Sequence, residues 1–499
     1  MAPGRAGAGG PILEAMDWFT APGYWLGRLV FQRALAGVYL FAFVGAALQF
    51  RALIGERGML PVPRYVRRVP FRRAPSLFGL RYSDRLFAGS AWTGAALAGA
   101  LAAGAGDAMP TGAAMGLWAV VWALYLSIVN VGQTWYAFGW ESLLLEAGFL
   151  AVFLGNARTG PPVLVLWLLR WLLFRVEFGA GLIKMRGDPC WRKLTCLYFH
   201  HETQPMPGPL SWFFHHLPKP LHRVECAAGH FTQLCVPVLL FAPQPVASYA
   251  AGAIVATQLW LVLSGNFAWL NWLTVALALS AVDFTGLAGA PPAAASRPPP
   301  VWFAVAVCAV TVLVLVLSRH PVRNMLSRRQ AMNRSFDPLH LVNTYGAFGS
   351  VGRAREEVVV EGTADPVPRP DGAWREYGFR GKPGRPGRLP RQFAPYHLRL
   401  DWLMWFAALS PGYARDWFGP FVERLLAGDR DTLRLLGDNP FPDAPPVYVR
   451  ARVYRYRFTT WRELRATGDW WHRTPVRAYL PPTRLAGAAP GGPARSEPE

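Results

Sequence analysis

Between roughly Gly89 and Ser318 the chain carries few charges, while arginine is dense on either side of that stretch. That distribution constrains the fold more than any motif does. A backbone surrounded by hydrocarbon must satisfy its own polar groups, so apolar runs of about twenty residues read as membrane-spanning helices. Leu29–Phe50 is the first such run, interrupted only by Gln32, Arg33 and Gln49. Further runs lie near 88–105, 112–130, 137–155, 162–184, 222–242, 246–264, 267–288 and 301–318. The expected fold class is an α-helical polytopic membrane bundle of about nine spans. A small β-rich soluble C-terminal domain with helical insertions follows it.

Composition agrees. Hydrophobic residues make up 52% of the 499 and charged residues 16%, against about 25% charged in an ordinary soluble domain. A formal net charge of +21 would suit a nucleic-acid partner. Here the basic residues gather in loops flanking apolar runs, as membrane insertion requires, so no nucleic acid is expected. Lysine occurs only at Lys184, Lys193, Lys219 and Lys382, so nearly all the positive charge is arginine. The first twenty residues carry Asp17 and lack the apolar core of a cleavable signal. Insertion is then expected to fall to the first span.

The organisation expected is an N-terminal tail over 1–28 and a transmembrane domain over 29–318, with basic loops near 51–87 and 185–221. A basic linker spans 319–334, the β-rich domain 335–482, and a disordered tail 483–499. With this span count all the basic segments fall on one side, which the positive-inside rule makes cytoplasmic. In the C-terminal part, Glu357–Gly362, Trp374–Arg380 and Val447–Phe458 read as strands. Apolar Val447, Val449, Ala451 and Val453 alternate in one phase, and Tyr454, Tyr456 and Phe458 in the other, which points to a bulge near Tyr454. Arg399–Leu409 and Asp416–Leu436 read as helices.

Ionisable residues inside the spans are the chemical candidates, because a charge in hydrocarbon must be paired or hydrated. Glu141 and Glu146 lie in the fourth run, and Arg170, Arg175, Glu177 and Lys184 in the fifth. Glu177 and Lys184 are two helical turns apart and share a face, with Asp188 just beyond the membrane edge. Two readings stand open. The favoured one has these residues pairing between helices and fixing bundle geometry. The other has them forming an intramembrane polar site with Lys184, Glu177 and Asp188 as catalytic candidates and Lys184 as the base.

The loop 185–222 holds His200, His201, His215, His216 and His222, with Cys190 and Cys196. Adjacent histidines diverge on regular structure and no HExxH or CxxC spacing occurs, so no metal is expected. The two cysteines could pair in an oxidising compartment, but free thiols are the favoured reading. The aromatic residues of this loop suit the headgroup boundary. The C-terminal domain contains no GxSxG, P-loop or Rossmann fingerprint.

Several long segments carry a family resemblance. Leu341-Val-Asn-Thr-Tyr-Gly-Ala-Phe-Gly-Ser350, Arg355–Thr363, Pro395-Tyr-His-Leu-Arg-Leu-Asp-Trp-Leu-Met-Trp-Phe406 and Tyr454-Arg-Tyr-Arg-Phe458 resemble the C-terminal region of lipase maturation factors. Gly139-Trp-Glu-Ser-Leu-Leu-Leu-Glu146, Arg175–Lys184 and Cys190–Pro205 are similar to that family's membrane part. The resemblance implies a non-enzymatic membrane factor that assists folding or maturation of client proteins and needs no cofactor. Its implied partners are membrane lipids and a client polypeptide such as a secreted lipase or another exported protein. Animal members reside in the endoplasmic reticulum membrane. The arginine-rich composition suggests instead a bacterial plasma membrane. The family places its C-terminal domain on the lumenal side, opposite to the side the arginine count gives. More distantly, Phe178–Lys184 with Asp188 is similar to a segment of the vitamin K-dependent γ-carboxylase. That likeness implies the alternative of an intramembrane enzyme with a quinone-like lipid cofactor and Lys184 as general base.

Overall fold

The computed structural model describes residues 17–293 and 298–485. Most of the expected N-terminal tail, and the expected disordered tail beyond 485, lie outside the described residues. Helices of nine residues or more are α1 (Trp25–Leu53), α2 (Asp84–Ala103), α3 (Thr111–Val131), α4 (Gly139–Val152), α5 (Val163–Arg186), α6 (Lys219–Leu234), α7 (Val246–Ser264), α8 (Leu270–Leu279), α9 (Val301–Leu317), α10 (Arg399–Leu409) and α11 (Phe418–Leu426). Their starts follow local chemistry. Ser83 caps α2 by accepting from the Leu86 amide at 3.1 Å, and prolines precede α3, α5, α7 and α9, where no helical donor is lost.

Among the described residues, five helical stretches are long and apolar enough to cross a membrane: Pro22–Leu53, Asp84–Ala103, Thr111–Val131, Val246–Ser264 and Val301–Leu326. The larger span count expected from the sequence is not confirmed. α4 has 14 residues, a rise of about 21 Å against a hydrocarbon core of about 30 Å. α5 has 24 residues but carries Arg170, Arg175, Glu177, Lys184 and Arg186, and α8 has only 10. Protein encloses much of these segments. In α4 every side chain except Phe149 is buried, so apolarity there reports a protein core rather than lipid.

The C-terminal sheet has four antiparallel strands in the order β2-β1-β3-β4, namely β1 (Arg355–Thr363), β2 (Arg375–Glu376), β3 (Tyr448–Phe458) and β4 (Trp471–Thr483). Three strand expectations need correction. The segment 374–380 pairs over two residues only. β4 was not expected, because Pro475, Pro481 and Pro482 remove donors that only an edge strand can spare. The irregularity near Tyr454 lies in the β3–β4 pairing, where Val453 faces Arg477 and Tyr454 faces Pro475, so Val476 is the extra residue and β4 carries the bulge. The helix expected over 416–436 divides into α11 and Arg430–Leu433, the second capped by Asp429 accepting from the Thr432 amide at 2.8 Å.

The basic segments and the C-terminal domain share one end of the bundle. Asn130, at the end of α3, donates to Pro75 O at 2.9 Å and to Pro338 O at 3.0 Å. Gln49, near the end of α1, donates to His397 O at 2.8 Å, and Trp212 Nε1 donates to Thr459 O at 2.8 Å.

Candidate functional site

The ionisable residues singled out in the sequence do not converge on one centre. Glu146 and Arg175 pair with each other, and the others engage separate partners, most of them outside their own helix. On α4, Glu146 forms an ion pair with Arg175 of α5, both almost fully buried. The carboxylate also accepts from the Asn343 amide at 3.0 Å, Asn343 Nδ2 at 3.0 Å and the Tyr345 hydroxyl at 2.7 Å. Arg175 in turn donates to Asn343 O at 2.7 Å. The segment 341–350 therefore completes an ion pair inside the bundle, which is what a buried pair requires to offset desolvation.

Glu141, one turn earlier, is held from the other domain. Arg399 Nη1, on α10, donates to its Oε1 at 2.7 Å and to Trp135 O at 2.7 Å. The Tyr125 hydroxyl donates to Glu141 Oε2, and the Arg399 guanidinium lies 3.5 Å from the Tyr136 ring centroid. His397 stands beside the pair, its Nδ1 3.6 Å from Glu141 Oε1. Burial, and then the Arg399 charge, push the His397 imidazole down to about 4. It is therefore neutral, consistent with Nδ1 accepting from Trp140 Nε1 at 3.4 Å.

A third junction joins the sheet to the loop after α5. Arg355 of β1 pairs with Glu357 and donates to Glu202 O at 3.0 Å, Pro205 O at 3.0 Å and Gln204 O. Those carbonyls lie at the end of the short helix Leu197–Thr203, where a cation complements the helix dipole. Glu202 reciprocates, accepting from the Phe458 amide of β3 at 2.7 Å. Lys382 Nζ closes the cluster 2.9 Å from Glu357 Oε2.

The proposed catalytic trio has ordinary partners. Lys184 Nζ donates to Gln233 Oε1 at 3.0 Å and lies 4.7 Å from the Trp191 ring centroid. Glu177 Oε1 accepts from Gln258 Nε2 at 2.6 Å, and Gln258 Oε1 accepts from Asn271 Nδ2 at 2.7 Å. Asp188 caps a one-turn helix through the Cys190 amide at 2.9 Å and pairs with Arg353 at 2.9 Å. Those contacts, the Cys190 amide foremost, hold its carboxyl below the usual range. Arg170 donates to the Tyr24 hydroxyl at 2.7 Å. It lines a cavity of about 370 Å³ with Tyr24, Trp167, Phe241 and Gln244, away from Lys184.

Gly179 in the Phe178–Lys184 segment and Gly187 just beyond it have a packing reason. A Cβ on Gly179 would overlap Tyr345 O, and one on Gly187 would overlap Gly349 O. Segment 341–350 thus lies directly against α5, with the Asp188 amide donating to Gly349 O at 2.8 Å and Trp191 Nε1 to Phe348 O at 2.8 Å.

Cys190 and Cys196 form a disulfide with their Cα atoms 4.9 Å apart, which corrects the reading of free thiols. The one-turn helix Pro189–Arg192 and left-handed Leu194 (φ 57°) fold the loop back on itself. His200 and His201 do diverge, but His201 meets His222 and Glu225, whose ligand atoms all lie within 4.8 Å of one another.

Residues 26–288 match the family model for the lipase maturation factor transmembrane domain, and residues 341–481 match that for the lipase maturation factor C-terminal domain. The chain belongs to the lipase maturation factor family. It is 41% identical to mouse lipase maturation factor 1 over 503 residues, covering 93% of this chain and 88% of that protein. Identity to human lipase maturation factor 1 is 41% over 523 residues (97% and 91%), and to human lipase maturation factor 2 it is 30% over 594 residues (92% and 83%). No solved structure matches the chain. These relatives are animal proteins, which overturns the bacterial plasma-membrane address suggested by arginine-rich composition. The apolar helices and the matched transmembrane domain make the chain an integral membrane protein.

In this chain the Glu146–Asn343, Glu141–Arg399 and Glu202–Phe458 contacts each join one matched region to the other. Glu141 and Glu146 stand out in the sequence, but their partners Asn343, Tyr345, His397 and Arg399, and Arg355 of the third junction, do not. The available signal was that all five sit within segments resembling the family's C-terminal region.

Proposed function

We propose that this chain is a non-enzymatic membrane maturation factor that presents its C-terminal domain to folding client proteins, with secreted lipases as the client class. Membership of the lipase maturation factor family over both matched regions carries the reading. The structure supports it in one respect: Glu141, Glu146, Lys184 and Asp188 are each engaged in a structural contact. The transmembrane domain, near 29–318, then serves as a rigid platform, and the domain over 335–482 is the client-facing part.

The disulfide Cys190–Cys196 supports the side on which this happens. Disulfides persist in oxidising compartments, and this one lies at the end of the bundle that carries the C-terminal domain. We take that face to be the lumenal or external side, as in the endoplasmic reticulum membrane, against the arginine count. The experiment is co-expression with a dimeric secreted lipase in cells lacking their own maturation factors. Full chain restores lipase activity and a chain ending before residue 335 does not. Equal recovery with the truncated chain, present at the same level in the membrane, overturns the proposal.

A further inference from the structure

The loop helix Leu197–Thr203 and the first turns of α6 enclose three side chains that each carry a polar atom without a partner among the described residues. His201 is 2% exposed, and neither of its ring nitrogens has a hydrogen-bond partner. His222 is equally buried, and its Nδ1 is unpartnered, as is Glu225 Oε2. Both imidazoles point at that same oxygen, His201 Nε2 at 3.8 Å and His222 Nδ1 at 3.8 Å. These distances are too long for hydrogen bonds.

The tautomer of His222 sharpens the point. Its Nε2 lies 3.3 Å from His215 O, and a carbonyl can only accept, so in neutral His222 the proton resides on Nε2. Nδ1 then turns a lone pair toward a carboxylate oxygen. Lone pair facing carboxylate is repulsive unless a proton or a metal cation lies between them, and at 3.8 Å no hydrogen bond is formed. Glu225 is oriented for that role, because Trp260 Nε1 donates to its other oxygen at 2.8 Å and leaves Oε2 free. Such outer contacts, a carbonyl on the distal imidazole nitrogen and a donor on the distal carboxylate oxygen, are what metal ligands require to hold orientation.

We propose that His201, His222 and Glu225 bind one divalent transition-metal ion of the zinc class. Bond lengths of about 2.0–2.2 Å at tetrahedral angles place neighbouring ligand atoms about 3.3 Å apart. The 3.8 Å His–Glu separations therefore need to contract by about 0.5 Å, and the two imidazole nitrogens, which lie within 4.8 Å of each other, need to close by up to about 1.5 Å. Two imidazoles favour zinc-like ions over calcium or magnesium, which take all-oxygen shells. Water completes the fourth position. Bound metal ties the loop that supports Arg355 and Thr459 of the C-terminal domain to α6, and so stiffens the junction on which that domain rests.

The test uses the full chain in detergent, purified without a polyhistidine tag, stripped with chelator and desalted, then loaded with zinc chloride or cobalt chloride. Wild type is expected to retain one equivalent of zinc by elemental analysis, to melt at a higher temperature when loaded, and to give the visible absorption of low-coordinate cobalt. Glu225→Gln, close in shape and folded by its melting curve, is expected to lose the metal, as is His201→Phe. His216→Gln in the same loop keeps it. Trp260→Phe weakens affinity about tenfold or more. Retention of no zinc by wild type, or equal zinc in Glu225→Gln and His201→Phe, overturns the assignment.

Discussion

Arg399 reaches from the first turn of α10 into the membrane bundle and donates to Glu141 at 2.7 Å, with both side chains 1% exposed or less. Neither charge has water to fall back on. The two matched regions of the chain are thus joined by a contact that neither can replace alone.

Removing one member strands the other. Arg399→Met leaves Glu141 buried and unpaired, at a cost of about 3–5 kcal/mol. The double variant Arg399→Met, Glu141→Gln recovers part of that loss. Thermal unfolding in detergent of both single variants and the double variant measures the coupling, and additive losses would refute it.

Tyr345 donates one bond to the Glu146 carboxylate and fills space beside Arg175. Tyr345→Phe keeps the ring and deletes the bond, so a loss of about 1.5–3 kcal/mol is expected for a charge-assisted donor. Asn343→Leu deletes a side-chain bond to the same carboxylate and should cost at least as much. The melting temperatures of the two variants check the order.

Gly179→Ala drives a methyl into Tyr345 O. Overpacking of this kind costs about 1–3 kcal/mol, and the displaced element is segment 341–350. Gly229, where a Cβ meets nothing within 4 Å, is the control, and Gly229→Ala is expected to be neutral or slightly stabilising. Limited proteolysis of the linker should accelerate in the first variant alone.

Acid should act through His397. Its imidazole is pushed down to about 4 in the folded protein by burial and by Arg399, with Glu141 opposing, against about 6.5 when unfolded. The unfolded chain then binds the extra proton, so this stability is complete above about pH 6.5 and lost as pH falls toward 4. The difference corresponds to about 3 kcal/mol. His397→Phe should flatten that part of the melting-temperature profile between pH 7 and 4.5, and an unchanged slope would rule the histidine out.

Lys184 separates the maturation reading from intramembrane enzymology. Lys184→Met removes the bond to Gln233 and the contact with Trp191, worth about 1–2 kcal/mol together. Client lipase activity per molecule of membrane-inserted variant should match wild type. Abolished recovery with an intact melting curve would make Lys184 functional.

The sequence by itself determined the membrane class, the family, the positions of β1 and β3 and the charges carried within α4 and α5. Those features are local: a twenty-residue apolar run, a period-two alternation and a glutamate within an apolar segment each announce themselves without a partner. It did not determine the span count, because α4 and α8 are apolar for burial against protein, and apolarity alone does not distinguish protein from lipid. Nor did it reveal β4, whose prolines look like loop until an edge position excuses them. Only the tertiary structure decided which charges meet. Glu141 and Arg399 lie 258 residues apart, and Glu146 and Asn343 lie 197 apart. Pairing at such separations is selected by the packing of whole helices, which leaves no local period in the sequence from which a partner could be read.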